Sequence, residues 1–264
     1  MVTPRPEMPA GAVDLSGRKA MVVGVETPAG AAIALAYARA GADVALCALR
    51  ADEGVVTAKR IQKQIQALGR GSSVYVMDVL LGRNVQVTTR QVTKELGGLD
   101  IVAGCSHRLL ARPLAQTTDV ELQQVLALNF NAQFFLARSA AGELVRQGRG
   151  GSILLVTRAL DERGIAGGAA AYSAAHAAVH ALVRALAQEL APQQVAINAL
   201  ALDWEAAPAG GHDEQAAHAV GSAPAERPGA ADAVGPLAVR LSRGGAGAVS
   251  GQVVAADGDT LPRG

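Results

Sequence analysis

Seven short apolar runs recur along the chain: Ala20 to Val25, Asp43 to Cys47, Ser73 to Met77, Asp100 to Ala103, Ser152 to Thr157, Val195 to Leu200 and Gln252 to Ala255. Their length and composition predict strands. Between them apolar residues return at three- and four-residue spacing, the period of a helix with one buried face. Strand and helix alternating over the whole length predict an α/β fold, a doubly wound parallel sheet covered by helices on both faces. Crossovers in such a sheet are right-handed, so the ligand crevice is expected beyond the carboxyl ends of the strands. Asp203 to Pro236 departs from the alternation, being dominated by Ala, Gly, Pro and scattered charge. It predicts a long loop that covers the crevice. No period of about 20 to 50 residues recurs, which argues against a solenoid.

Composition narrows the picture. With 264 residues, 50% of them hydrophobic and 18% charged, the chain can bury a substantial core, and the pattern fits a single domain over residues 14–264. The proline-rich residues 1–13 read as a flexible arm without the apolar stretch of a signal peptide. A net charge of +1 with no basic run gives no electrostatic footprint for nucleic acid or an anionic membrane. No apolar run reaches the roughly 18 residues needed to span a bilayer. Cys47 and Cys105 sit at or near the ends of apolar runs, where buried reduced thiols are expected, and a cytoplasmic location fits them. His212, Asp213, Glu214 and His218 have ligand spacing only if helical. A polar loop accounts for them equally, and no metal is expected.

The first strand runs into Gly24-Val25-Glu26-Thr27-Pro28-Ala29-Gly30, followed by a helical stretch to Ala40 that stops at Gly41. Further on stand Asp78-Val79, Gly98-Leu99-Asp100-Ile101-Val102, Asn129, Gly151-Ser152-Ile153, Tyr172, Val195-Ala196-Ile197-Asn198-Ala199 and Gly251-Gln252-Val253-Val254-Ala255-Ala256-Asp257-Gly258. In this order and spacing, from about Leu15 to Gly258, the chain resembles the short-chain dehydrogenase/reductase family. The glycine turn is similar to that family's TGxxxGxG. The resemblance implies a Rossmann-like domain, a nicotinamide cofactor and a catalytic Asn, Ser, Tyr and Lys.

Several departures fall where the resemblance places the cofactor. Gly24 and Gly30 match the first and last glycines of the turn, but Pro28 replaces the middle one. Proline has no amide hydrogen to offer a pyrophosphate, whereas Thr27 as cap and Pro28 as first helical residue suit a stable helix start. After the second strand, family members using NAD commonly carry an Asp for the ribose and those using NADP often carry basic residues. Here Arg50 follows Cys47-Ala48-Leu49, and it reads either as a partner for a 2′-phosphate or as a solvated charge. Asp78 matches the residue that contacts adenine. Gly104-Cys105-Ser106-His107 aligns with the family's NNAG, so His107 adds bulk on the cofactor wall.

The catalytic set is altered as well. Asn129 and Tyr172 match the family Asn and the acid/base Tyr. Arg158 stands in the serine position, with Thr157 before it on the opposite side of the strand. His176 stands four residues after Tyr172, in place of the lysine that holds the nicotinamide ribose and supports the tyrosine with a permanent charge. Histidine is shorter and, with an ordinary pKa near 6.5, mostly neutral at pH 7. Arg158 offers a positive charge but no hydroxyl. Leu202-Asp203 occupies the place of the family's Pro-Gly, and Glu26 and Glu205 beside Trp204 are candidates to line the crevice.

Magnitudes bear on function. Charge-assisted hydrogen bonds to pyrophosphate and ribose are each worth roughly 1.5 to 3 kcal/mol. Losing both predicts affinity lower by about two to four decades, and positioned proton transfer contributes about 10² to 10⁴ in rate. The leading expectation is therefore a catalytically degenerate subunit with a structural or regulatory role and no tightly bound cofactor. The alternatives are an NADP-preferring oxidoreductase acting on a carbonyl or alcohol through Asn129, Arg158, Tyr172 and His176, with Gly24, Gly30, Arg50 and Asp78 binding NAD(P), and a non-catalytic small-molecule or nucleotide sensor.

Assembly follows from a second helical pattern. After Tyr172, residues Ala175, Val179, Leu182, Leu186 and Leu190 form a stripe to face the sheet, and Ala174, Ala178, Ala181 and Ala185 form a stripe of small residues. Small side chains permit close helix approach. The resemblance implies that the helices over 119–147 and 172–190 form a subunit interface, here in a homo-oligomer or with an active paralogue.

Overall fold

In this computed structural model, which describes residues 13–107, 112–158, 170–202, 230–245 and 247–256, seven parallel strands form one sheet. They are β1 (Lys19–Val23), β2 (Asp43–Ala48), β3 (Ser72–Val76), β4 (Ile101–Gly104), β5 (Gly151–Arg158), β6 (Val195–Leu202) and β7 (Val253–Ala256). Their order is β3-β2-β1-β4-β5-β6-β7. β1 pairs with both β2 and β4, bringing Val23 beside Cys47 and Gly104. The winding reverses between β1 and β4, so the crevice opens at their carboxyl ends.

Among the described residues seven α-helices cover the sheet: α1 (Pro28–Arg39), α2 (Glu53–Ala67), α3 (Gly82–Leu96), α4 (Asp119–Leu126), α5 (Ala132–Gln147), α6 (Ala170–Leu190) and α7 (Ala230–Leu241). Strand side chains alternate between two cores. Ala20, Val22, Leu46 and Val156 pack with Ile33 and Tyr37 of α1, Ile61 of α2 and Ala238 of α7. Met21, Val23, Leu155 and Ile197 pack with Val85 of α3, Leu136 of α5 and Val179 and Val183 of α6. Because the interior strands are buried on both faces, they read as near-continuous apolar runs.

The structure corrects several boundaries. The apolar run Ala20 to Val25 outlasts its strand: β1 ends at Val23, where the sequence runs into the glycine turn, because Gly24 turns the chain at φ +82°, a conformation that favours glycine. Of the stretch expected as a covering loop over 203–236, the described end is helical: Ala230 to Pro236 are the start of α7, despite the internal proline. Tertiary packing outweighs local propensity here, since Val234, Ala238 and Val239 bury in the core with α1 and Gly235 lies close against Ala36. The helix expected around Asp119 to Gln147 is split by a π-helical segment, Ala127–Asn131, between α4 and α5. Residues 203–229, with Asp203, Trp204, Glu205 and the His212 to His218 cluster, and most of the arm at 1–13 lie outside the described residues.

Cys47 and Cys105 are buried thiols outside any disulfide, as expected. On α6, Ala175, Val179 and Leu190 are buried, Leu182 and Leu186 are half-buried, and Val183 joins the core. The alanine stripe faces outward: Ala174, Ala181 and Ala185 are exposed and Ala178 half-buried.

Candidate active site

The ends of β4 and β5 meet α5 and α6 at a cluster of polar side chains. Arg158 is the last residue of β5, paired with Leu202 of β6. Its Nε donates to the Tyr172 phenolic oxygen at 3.1 Å and its Nη2 to His107 Nε2 at 2.6 Å. Guanidinium groups only donate, so that imidazole nitrogen accepts and His107 is neutral. Burial, reinforced by the Arg158 charge, pushes the His107 pKa down to about 3.

Thr157 and Arg158 leave the strand on opposite sides, as alternation requires. The Thr157 side is the one on which α6 lies, so Thr157 meets the catalytic helix directly. Thr157 follows Leu155 onto the face covered by α6, and its Oγ1 bonds His176 Nδ1 at 2.7 Å and His180 Nε2 at 3.3 Å. Arg158, at the end of the strand, reaches Tyr172 through its long side chain. The His176 ring meets the Tyr172 ring edge-on, with centroids 4.4 Å apart. Burial first, then the charge of Arg158, drives the His176 pKa down to about 2. His176 is thus neutral, and its Nε2 is buried with no partner among the described residues.

Asn129 is fully buried in the π-helical segment, and its Nδ2 donates to the Val125 carbonyl at 3.0 Å. Such irregular turns recur at functional sites. Four residues later, Gln133 Nε2 lies 3.4, 3.2 and 3.2 Å from the carbonyls of Gly104, Ser106 and Val156, tying the ends of β4 and β5 together. Sequence reading passed over Gln133 and His180. The available signal was spacing, Gln133 one turn beyond Asn129 and His180 one turn beyond His176.

The glycine turn is closed by its own cap. Thr27 Oγ1 donates to the Gly24 carbonyl at 2.8 Å and accepts from Gly30 N–H at 3.0 Å, while Pro28 begins α1. A Cβ on Gly30 would lie 2.2 Å from the Gly24 carbonyl oxygen, so glycine is required there. Thr27 N–H goes to Gly24 as well. Of the first-turn amides, Ala29 therefore remains for a ligand.

At the end of β2, Arg50 is exposed and paired with Asp52 at 2.7 Å. The Glu26 carboxylate reaches this point from the glycine turn, its Oε1 accepting from Leu49 N–H at 2.8 Å. Asp78 is exposed, with Oδ1 accepting from Leu80 N–H at 3.0 Å and its own N–H donated to Asn84. The structure thus joins His107, Thr157, Arg158, Tyr172 and His176 by direct contacts, places Asn129 in the π-helical segment packed against α6, and sets Gly24, Glu26, Gly30 and Arg50 around the ends of β1 and β2. Among the described residues no group of three His, Cys, Asp or Glu is placed to hold a metal ion, and no helix is long and apolar enough to cross a membrane.

Residues 24–258 match the family described as "Enoyl-(Acyl carrier protein) reductase". The chain is 26% identical over 257 residues to 2-dehydro-3-deoxy-D-gluconate 5-dehydrogenase of Escherichia coli, covering 96% of this chain and 98% of that one. It is 33% identical over 155 residues to a hydroxynaphthalene reductase of Aspergillus fumigatus, covering 59% of this chain and 55% of that one. The chain matches about half the length of several such curated relatives. A crystal structure of a dehydrogenase/reductase from Sinorhizobium meliloti superposes with a TM-score of 0.76 at 29% identity, covering 94% of this chain and 98% of that one.

Proposed function

This chain belongs to the short-chain dehydrogenase/reductase family, and we propose that it is a nicotinamide-dependent oxidoreductase acting on a carbonyl or alcohol through a rebuilt acid–base centre. The observation that carries this reading is the 3.1 Å hydrogen bond from Arg158 Nε to the Tyr172 oxygen. It puts a permanent positive charge on the catalytic phenol, a task the family assigns to the lysine that His176 replaces. The full-length similarity to a sugar-acid dehydrogenase supports this reading over a degenerate subunit.

The residues present fit a nicotinamide cofactor. Gly24 and Gly30 keep the turn tight, and Ala29 offers a helix-terminal amide for phosphate. The orphaned His176 Nε2 is a buried polar atom that a ribose hydroxyl would satisfy. The cofactor, when bound, supplies or accepts hydride. Tyr172 gives its phenolic proton to the substrate oxygen in reduction, and the Arg158 guanidinium stabilises the negative charge left on the phenolate. Because Arg158 donates to the phenolic oxygen, the Tyr172 hydrogen serves as the donor to substrate. His107 accepts from Arg158 Nη2 and holds the guanidinium plane. Gln133 fixes the strand ends from which Arg158 and His107 project. Thr157 anchors His176 and so fixes which ring edge faces the cofactor.

A second reading, the catalytically degenerate subunit, draws on one observation: His176 is held neutral by burial and cannot supply the missing ammonium. Steady-state oxidation of NADH and NADPH with a panel of ketones, aldehydes and keto acids separates the two. Turnover that falls by about 100-fold in Arg158→Leu and recovers in part in Arg158→Lys supports the oxidoreductase. Absence of turnover across the panel, together with absence of cofactor binding, supports the degenerate subunit.

A further inference from the structure

The carboxylate of Glu26 is buried in part and belongs to no step above. It rises from the glycine turn after β1 and crosses to the end of β2, where Oε1 accepts from Leu49 N–H at 2.8 Å. Oε1 would lie only 3.0 Å from a Cβ on Gly54, so the carboxylate sits against the first turn of α2. Oε2 is buried with no hydrogen-bond partner among the described residues. Burial raises the pKa of Glu26, and the backbone amides of Leu49 and Arg50 and the charge of Arg50 pull it back. The carboxylate therefore occupies the backbone amides that an anion at the end of β2 would need.

Arg50, the cation that could offset an added phosphate there, is engaged elsewhere. Its Nη2 lies 2.7 Å from Asp52 Oδ2, and the pair is exposed. The end of β2 thus presents two carboxylates, Glu26 and Asp52, beside one guanidinium.

From this we infer that Glu26 is a specificity-determining residue, an internal carboxylate at the adenosine-ribose position that excludes a 2′-phosphate and selects NAD(H) over NADP(H). The inference rests on the oxidoreductase reading and reverses the NADP preference suggested by Arg50 in the sequence. A ribose diol donates to a carboxylate, whereas a 2′-phosphate brings like charge against it and finds the Leu49 amide already taken.

The test is calorimetric titration of the purified chain with NADH and NADPH, repeated with the fragments adenosine 5′-monophosphate and adenosine 2′,5′-bisphosphate, which probe the adenosine end alone. Wild type is expected to favour NADH over NADPH by about 100-fold. Glu26→Gln, which keeps an acceptor for Leu49 N–H, is expected to shrink that ratio to about tenfold or less, chiefly by gain of NADPH affinity. The fragments should follow the same order. Taking the ratio within one sample removes the effect of any misfolded fraction, and Glu26→Ala gives an independent variant. Tight NADPH binding by wild type, or a ratio unmoved in both variants, overturns the inference and leaves the oxidoreductase reading standing. Absence of binding by either cofactor overturns the reading and the inference together.

Discussion

Arg158 and Tyr172 are joined by a 3.1 Å hydrogen bond from guanidinium to phenol, although they leave different elements fourteen residues apart. Arg158 is 7% exposed and Tyr172 6%, so the charge acts where water screens it little. If this pair is the acid–base centre, Arg158→Lys should keep part of the turnover and Arg158→Leu should lose about 100-fold in kcat with a smaller change in KM. Initial-rate measurements over a range of substrate concentration make the comparison. Equal activity in the leucine variant would remove Arg158 from the mechanism.

Cofactor affinity gives a second prediction. Pro28→Gly with His176→Lys restores an amide at the glycine turn and an ammonium at the ribose, and together they should tighten NADH binding by about tenfold or more. Titration of the double variant measures this. A well-folded variant with unchanged affinity would locate the limit elsewhere in the crevice, as at His107.

Stability should depend on pH through two histidines, the buried His176 and the half-buried His107. His176 and His107 have pKa values of about 2 and about 3, below the ordinary 6.5, so the unfolded chain binds more protons than the folded one between those limits. Stability is then complete above pH 6.5 and declines as pH falls below it. The loss at pH 5.5 is expected to be about 2 to 3 kcal/mol for the pair. Denaturant unfolding at pH 7.5 and 5.5 measures it, and His176→Leu should show a shallower decline. An identical slope in that variant would show that His176 takes up no proton on unfolding.

Assembly is a fourth prediction. Ala174, Ala181 and Ala185 are exposed on α6, and Val120 and Leu122 of α4 are 61% and 40% exposed. Such a face is expected to pack in a two-fold dimer or tetramer, alone or with an active paralogue. Light scattering should report a multimer, and Ala178→Glu with Ala181→Arg should reduce it to a monomer. A monomeric wild type, with and without a co-encoded relative, would set the interface aside.

Much of the fold was legible because hydrophobic periodicity is a property of the sequence itself. All seven strands were readable: the interior ones bury both faces and so read as apolar runs, and the edge strand β3 is short and rich in β-branched and aromatic residues. Thr27, Pro28 and Gly30 likewise announced the start of α1 by local chemistry alone. The helical content of Ala230 to Pro236 was not legible, because its helix depends on burying Val234 and Ala238 with α1 and its composition is that of a loop.

At the site, the sequence by itself determined which residue types are available: a tyrosine, a histidine four residues on, an arginine at the end of β5 and a carboxylate in the glycine turn. Only the tertiary structure decided their partners. Arg158 reaches Tyr172, Thr157 bonds His176 of α6, and Glu26 crosses to Leu49 twenty-three residues away. Local pattern sets backbone period and facing, whereas the reach of a long polar side chain is chosen by which buried donors and acceptors must be satisfied.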